Sequence, residues 1–228
     1  MNTRKSVLIG VLGSVLMCLF GMLACTPAQP PQSGDRLEFW ETYENAEILP
    51  YLRQLDASDN LLHWLVPCVD AEEAPRRGPV IGYATIQDTA AVNAILASEA
   101  AKAVLPRMLH CRWTVKPVDR TGEIFELVAL KTKIDGSPAM NGEQLTLVKV
   151  QKEKWGPALS MEMNEEGARV WQRLTKDNIG KSIALVIEDK VYSYPVVQME
   201  IPNGKLQISG NFSEEELQQI ADMLNNPR

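Results

Sequence analysis

Residues 160–197 read SMEMNEEGARVWQRLTKDNIGKSIALVIEDKVYSYPVV, and the fold turns on this stretch. Asn164 precedes a run in which Ala168, Trp171, Leu174 and Thr175 recur at helical spacing, which predicts an N-capped helix with one buried face. Asp177-Asn178-Ile179-Gly180-Lys181 then closes that helix into Ser182–Glu188. This segment is dense in β-branched residues and predicts a strand buried on both faces. Asp189-Lys190 turns the chain into a further strand, Val191–Val197.

The same pattern continues outward. Lys205–Gly210 reads as a strand, and Ser213 followed by Glu216 is a capping box for a last helix. Leu217, Ile220, Ala221 and Leu224 form its buried stripe. Upstream, Gln144–Gln151 and Pro157–Met163 read as strands after the turn Asp135-Gly136-Ser137-Pro138. Earlier still come a strand at Arg36–Tyr43, a broken helix over Glu44–Leu65 that Asn45 could cap, and a loop from Pro67 to Pro79. A strand at Val80–Ile86 leads into a helix opened by Asp88 or Thr89 and running to Pro106. Two strands, Cys111–Val118 and Ile124–Lys133, follow, joined at Asp119–Gly122. Helices and strands in mixed order predict an α+β fold.

The N-terminus, MNTRKSVLIGVLGSVLMCLFGMLAC, carries Arg4 and Lys5 before an apolar run and small Ala24 before Cys25. That order is a secretory signal peptide, and Met22-Leu23-Ala24-Cys25 resembles a bacterial lipobox, which implies cleavage after residue 24 and acylation of Cys25. The alternative is an uncleaved anchor, for which the run is just short of the roughly 20 residues a span needs. Either reading puts the chain on a membrane surface outside the cytoplasm, in the cell envelope and facing the periplasm. Thr26–Gly34, with three prolines, reads as an extended tether. Loss of Arg4 and Lys5 with the leader takes the net charge from −6 to −8. That balance argues against nucleic acid as a partner.

Cys68 and Cys111 remain as an even pair in an oxidising compartment. They are either a disulfide closing a loop of 42 residues or two buried thiols. Cofactor and metal chemistry find little support. His63 and His110 stand near the two cysteines without zinc spacing. Gly180-Lys181-Ser182 ends like a P-loop, but Thr175 replaces the required glycine and a strand follows where a helix should. No Gly-x-Ser-x-Gly elbow is present. Glu165-Glu166 and Glu214–Glu216 sit in first helical turns, where the helix dipole favours carboxylates. No catalytic constellation is predicted.

Beyond these features, several stretches resemble the first large periplasmic domain of the SecD and fused SecDF family, accessories of the Sec protein-export channel. They are LEFWETYENAEILPYL (37–52), PVIGYATIQDTAAVN (79–93), VLPRMLHCRW (104–113), ALKTKIDGSPAMNG (129–142), residues 160–197, and EIPNGKLQISGNFSEEELQQIADML (200–224). The resemblance implies a ferredoxin-like sheet-and-helix base from 36–43 plus 140–226, with a head subdomain inserted over 44–139. It implies binding of unfolded polypeptide or Sec translocase components, with no catalytic residues. The base would lack its first elements, leaving a sheet edge open to a partner strand, and the family's proton-pathway helices are missing, so holding or docking is expected rather than driven pulling. The competing expectation is an assembly or regulatory subunit that docks on a membrane partner through its base without touching clients.

Overall fold

The structure, a computed structural model, describes residues 36–154 and 156–225. The segments expected to be a signal peptide (1–24), a lipidated Cys25 and a tether to residue 35 lie outside the described residues. The fold is α+β, as the sequence predicts.

Its frame is a long mixed-length sheet. Strand β1 (Leu37–Thr42) is followed by helix α1 (Asn45–Asp59), short β2 (Val66–Pro67) and β3 (Val80–Thr85). Helices α2 (Thr89–Leu96) and α3 (Glu99–Val104) lead to β4 (Leu109–Trp113), β5 (Ile124–Lys131) and two-residue β6 (Met140–Asn141). Then come β7 (Leu145–Glu153), β8 (Gly156–Met163), α4 (Glu165–Asp177), β9 (Ile183–Ile187), β10 (Lys190–Ser193), β11 (Lys205–Ile208) and α5 (Glu214–Asn225). The main sheet runs β10-β9-β1-β5-β3-β2, with β4 also on β5 and β6 also on β1; a second sheet runs β11-β8-β7.

Strand parity explains the three clusters of buried residues. Side chains alternate across a strand, and β9 is buried at every position. Ile183, Leu185 and Ile187 face a cluster with Leu37, Phe39 and Trp171, whereas Ala184 and Val186 face one with Trp40, Val128 and Leu130. On β5, Leu127 and Ala129 turn instead to a third cluster under α1, with Ile48, Leu52 and Leu55. The expected doubly buried strand is therefore the inner neighbour of β1, paired with it from Leu37↔Ile187 to Glu41↔Ile183.

Local signals settle the element ends. Asn164 caps α4 through Oδ1, 2.8 Å from the Gly167 amide. Ser213 and Glu216 form the expected capping box, at 2.7 and 3.2 Å. Three expectations are corrected. Asn45 does not cap α1. Glu44 is the cap residue, while Asn45 is fully buried and donates to the Cys68 carbonyl at 2.5 Å. The helix over 88–106 is two helices, because Ser98 accepts from the Ala101 amide at 3.1 Å and starts a new one. The strand expected to reach Val197 ends at Ser193, since Pro195 has no amide to continue a ladder. The strands of the expected base lie in two sheets, β1, β9 and β10 in the long one and β7, β8 and β11 in the small one.

The pairing of Cys68 with Cys111, left open by the sequence, is not formed. Both are free thiols. Cys68 belongs to the cluster with Val128 and Leu130, with its sulfur 3.3 Å from the Tyr83 hydroxyl. Cys111 stands opposite Ala129 and packs on the cluster beneath α1, across the sheet from Cys68. Burial pushes its thiol up to about 12.

Two outcomes follow from this packing. In the folded chain Cys68 and Cys111 should resist a thiol reagent that titrates both after denaturation; rapid native labelling, or no labelling once unfolded and unreduced, would contradict the arrangement. Trp171→Ala should cost about 3–5 kcal/mol in chemical denaturation, because its ring packs 5.0 Å from Phe39 in the core. Trp171→Phe should cost about 1 kcal/mol or less, since the indole N–H that it removes has no partner.

Candidate functional site: an apolar groove beside a free strand edge

Between α4 and the two sheets lies an apolar groove of about 350 Å³. Its floor is Phe39 of β1, Ile183 and Leu185 of β9, and Trp171 of α4; Leu206 and Ile208 of β11 form one wall. The other wall is the segment 195–201, which contains Pro195, Val196, Met199 and Ile201.

That segment is a strap fixed at both ends. On one side, Gly180 donates to the Val197 carbonyl at 2.8 Å and Val197 donates to the Lys181 carbonyl at 2.9 Å. On the other, the Ile201 amide donates to Thr175 Oγ1 at 3.0 Å, and Gln172 donates to Glu200. Between these staples Val196 and Met199 stand 48% and 69% exposed at the rim, although both are apolar. Gly204 then lets the chain pass hard against α4. It has φ +58°, and a Cβ there would lie 2.7 Å from that of Ala168.

Strand β11 is an edge. Among the described residues its one strand partner is β8, which it meets from Lys205↔Glu162 to Ile208↔Leu159. An unaccompanied edge presents amides and carbonyls that can pair with another chain. Just beyond it, Lys116 pins the chain before α5. Its ammonium lies 2.7 Å from Glu216 Oε2 and 4.6 Å from the centre of the Phe212 ring. Beneath the groove floor the Trp171 indole Nε1, on a side chain 6% exposed, is buried and makes no hydrogen bond. Leaving a buried donor unpaired costs free energy.

The residues singled out in the sequence are not gathered here, apart from Trp171 and Thr175, which were read on the buried face of one helix and also line the groove. His63 packs edge-on against Trp64. His110 stacks on Trp40 at 5.2 Å, and burial with the nearby Arg112 lowers its pKa to about 4. Gly180-Lys181-Ser182 forms one staple of the strap. No group of three or more His, Cys, Asp or Glu residues is placed to hold a metal ion among the described residues. No described helix is long and apolar enough to cross a membrane. The strap escaped sequence reading because Val196 and Val197 pass for the end of a strand. The signal was available in Pro195 and Pro202, which bracket six residues, Val196 to Ile201, that cannot continue a ladder on either side.

Residues 123–227 match the family model for the SecDF P1 head subdomain. The chain is 39% identical over 152 residues to the protein translocase subunit SecD of Rhodothermus marinus, across 65% of this chain and 24% of that protein. It is 33% identical over 103 residues to the protein translocase subunit SecDF of Thermus thermophilus, across 45% of this chain and 14% of that one. The chain thus spans about a quarter, or less, of the length of these curated relatives. A solved structure of SecDF, described as a membrane component that enhances protein export, aligns with a TM-score of 0.38 and 17% identity over 82% of this chain and 92% of its own. The family model takes in β5 through α5, whereas sequence reading assigned the head to 44–139 and the base to 36–43 plus 140–226. Every groove residue except Phe39 falls inside the matched region. The chain is similar to SecD, and its residues 123–227 match the family model of the SecDF P1 head subdomain.

Proposed function

We propose that this chain is a non-enzymatic lipoprotein of the cell envelope, held by acyl chains on Cys25 and facing the periplasm, that binds extended polypeptide during protein export. The observation that carries the reading is the apolar groove running beside the free edge of β11. A segment laid along β11 would extend the small sheet by one strand, with backbone hydrogen bonds supplying affinity and alternate side chains entering the groove. Met199 suits a rim that must accept varied side chains, because its unbranched thioether adapts to many shapes. The names of the relatives, subunits of a protein translocase, support the same setting. Contact with components of the Sec translocase belongs to this proposal as well.

The binding is apolar and backbone-mediated, so raised salt should leave it largely intact, unlike contacts between exposed charges. Met199→Asp and Val196→Asp, both at exposed rim positions, should weaken binding of a labelled unfolded polypeptide by about tenfold, with little change in melting temperature. Fluorescence anisotropy measures this. Unchanged affinity in both variants would remove the groove as the client site and favour a docking subunit that contacts no client. Anchoring has a separate test: cells given labelled palmitate should load it on the wild-type chain and not on Cys25→Ser. Equal labelling of the two would sink the lipoprotein assignment.

A further inference from the structure

Two arginines and a lysine that are distant in the sequence meet in one open pocket of about 440 Å³, where Arg76, Arg77 and Lys181 stand with Glu44, Pro75 and Ile179 among the walls. Strand pairing brings them together. The pair Glu41↔Ile183 puts the exit of β1 beside the entry of β9, and Thr42 Oγ1 donates to the Ser182 carbonyl at 2.9 Å. Glu44 and Lys181 follow directly beyond that junction. The loop after β2 is tied to the same place: the Asn45 amide donates to the Gly78 carbonyl at 2.8 Å, and the Gly78 amide to the Glu44 carboxylate at 2.8 Å. Arg76 is itself fixed, its amide on the Cys68 carbonyl at 3.1 Å and its Nε on the Val69 carbonyl at 2.9 Å. The pocket shares no lining residue with the apolar groove.

The pocket is cationic in a chain of net charge −6. Arg76, Arg77 and Lys181 form no ion pair within 4.0 Å among the described residues. The carboxylates of the pocket and its loop are engaged. Glu44, the acid in the lining, accepts the Gly78 and Glu47 amides. Asp70 accepts the Glu72 and Ala74 amides at 3.0 and 2.9 Å, and Glu73 pairs with Arg53. Three positive charges therefore face one negative in the lining. Like charges gathered without a counter-charge repel, and an anion between them relieves that cost. A phosphate monoester, at about −1.5 to −2 near neutral pH, matches the surplus better than a single carboxylate does. Guanidinium forks also suit phosphate oxygens. Recognition falls to side chains, unlike a P-loop, because the Gly180 and Lys181 amides already donate to the Val197 and Asn178 carbonyls. Pro75 and Ile179 supply apolar surface for the organic part of the ester.

We propose that this pocket binds a phosphate monoester through Arg76, Arg77 and Lys181, at a site separate from the groove. Isothermal titration calorimetry of the full chain at fixed ionic strength tests it. Inorganic phosphate and glycerol 3-phosphate should bind at one equivalent, and acetate about tenfold more weakly. Arg77→Ala and Lys181→Ala, both at exposed positions, should each weaken phosphate about tenfold at unchanged melting temperature, since each removes a hydrogen bond to a charged group. Lys149→Ala, at an exposed position on β7, should leave the affinity unchanged. Dihexanoyl phosphatidic acid, below its micelle concentration, separates the two sources of the same chemistry. Tighter binding than glycerol 3-phosphate, lost in both pocket variants, assigns the site to a lipid headgroup; equal affinity assigns it to a soluble ester. The proposal is overturned if no phosphate compound saturates, if acetate binds as tightly as phosphate, or if Lys149→Ala weakens binding as much as the pocket variants do.

Discussion

The pairing of β1 with β9 is the constraint on which the rest depends. Five consecutive pairs, Leu37↔Ile187 to Glu41↔Ile183, lock two strands whose alternate side chains serve different clusters. A slip of one residue would exchange every inward and outward side chain, moving Phe39 and Leu185 off the face that Trp171 covers. That face is also the floor of the groove. Stability of the long sheet and shape of the candidate site therefore come from the same contacts, which is why the site sits between well-packed elements.

The groove exists because two connections stop short of regular structure. Pro195 ends β10, so the following residues form a strap instead of a ladder, stapled to 180–183 at one end and to Thr175 at the other. Gly204 lets the chain turn against Ala168 and start β11 beside the strap, with β8 on only one flank. Apolar residues that a continuous strand would have buried are left at a rim. Edge strands are ordinarily blunted by charge or covered; β11 carries Lys205 at its start, while Leu206 and Ile208 line the groove.

Much of the fold was legible in the sequence where a local rule and a burial pattern agreed. Asn164, the Ser213 and Glu216 box, the α5 stripe and the fully buried β9 all follow from short-range chemistry that tertiary contacts reinforce. Legibility failed where long-range geometry decided. Asn45 looks like a cap, yet it is pulled into the core to serve the Cys68 carbonyl 23 residues away. Cys68 and Cys111 have the even count of a disulfide, but strand parity sends them to opposite faces of the sheet. The division of strands into two sheets also lay out of reach, because nothing in a strand's own residues names its neighbour. Of the groove, Trp171 and Thr175 were singled out, on the buried face of one helix. Their double role is visible once the strap is placed across from them.

The most direct measurement is the proton resonance of the Trp171 indole N–H, assigned by comparison with Trp171→Phe and followed as an unstructured apolar peptide is added. If polypeptide occupies the groove, this signal shifts as the Trp171 ring gains apolar neighbours, and the amides of 196–199 and 205–208 shift with it at the same peptide concentration. Saturating peptide that perturbs other surfaces while leaving this indole and the β11 amides unmoved would contradict the account.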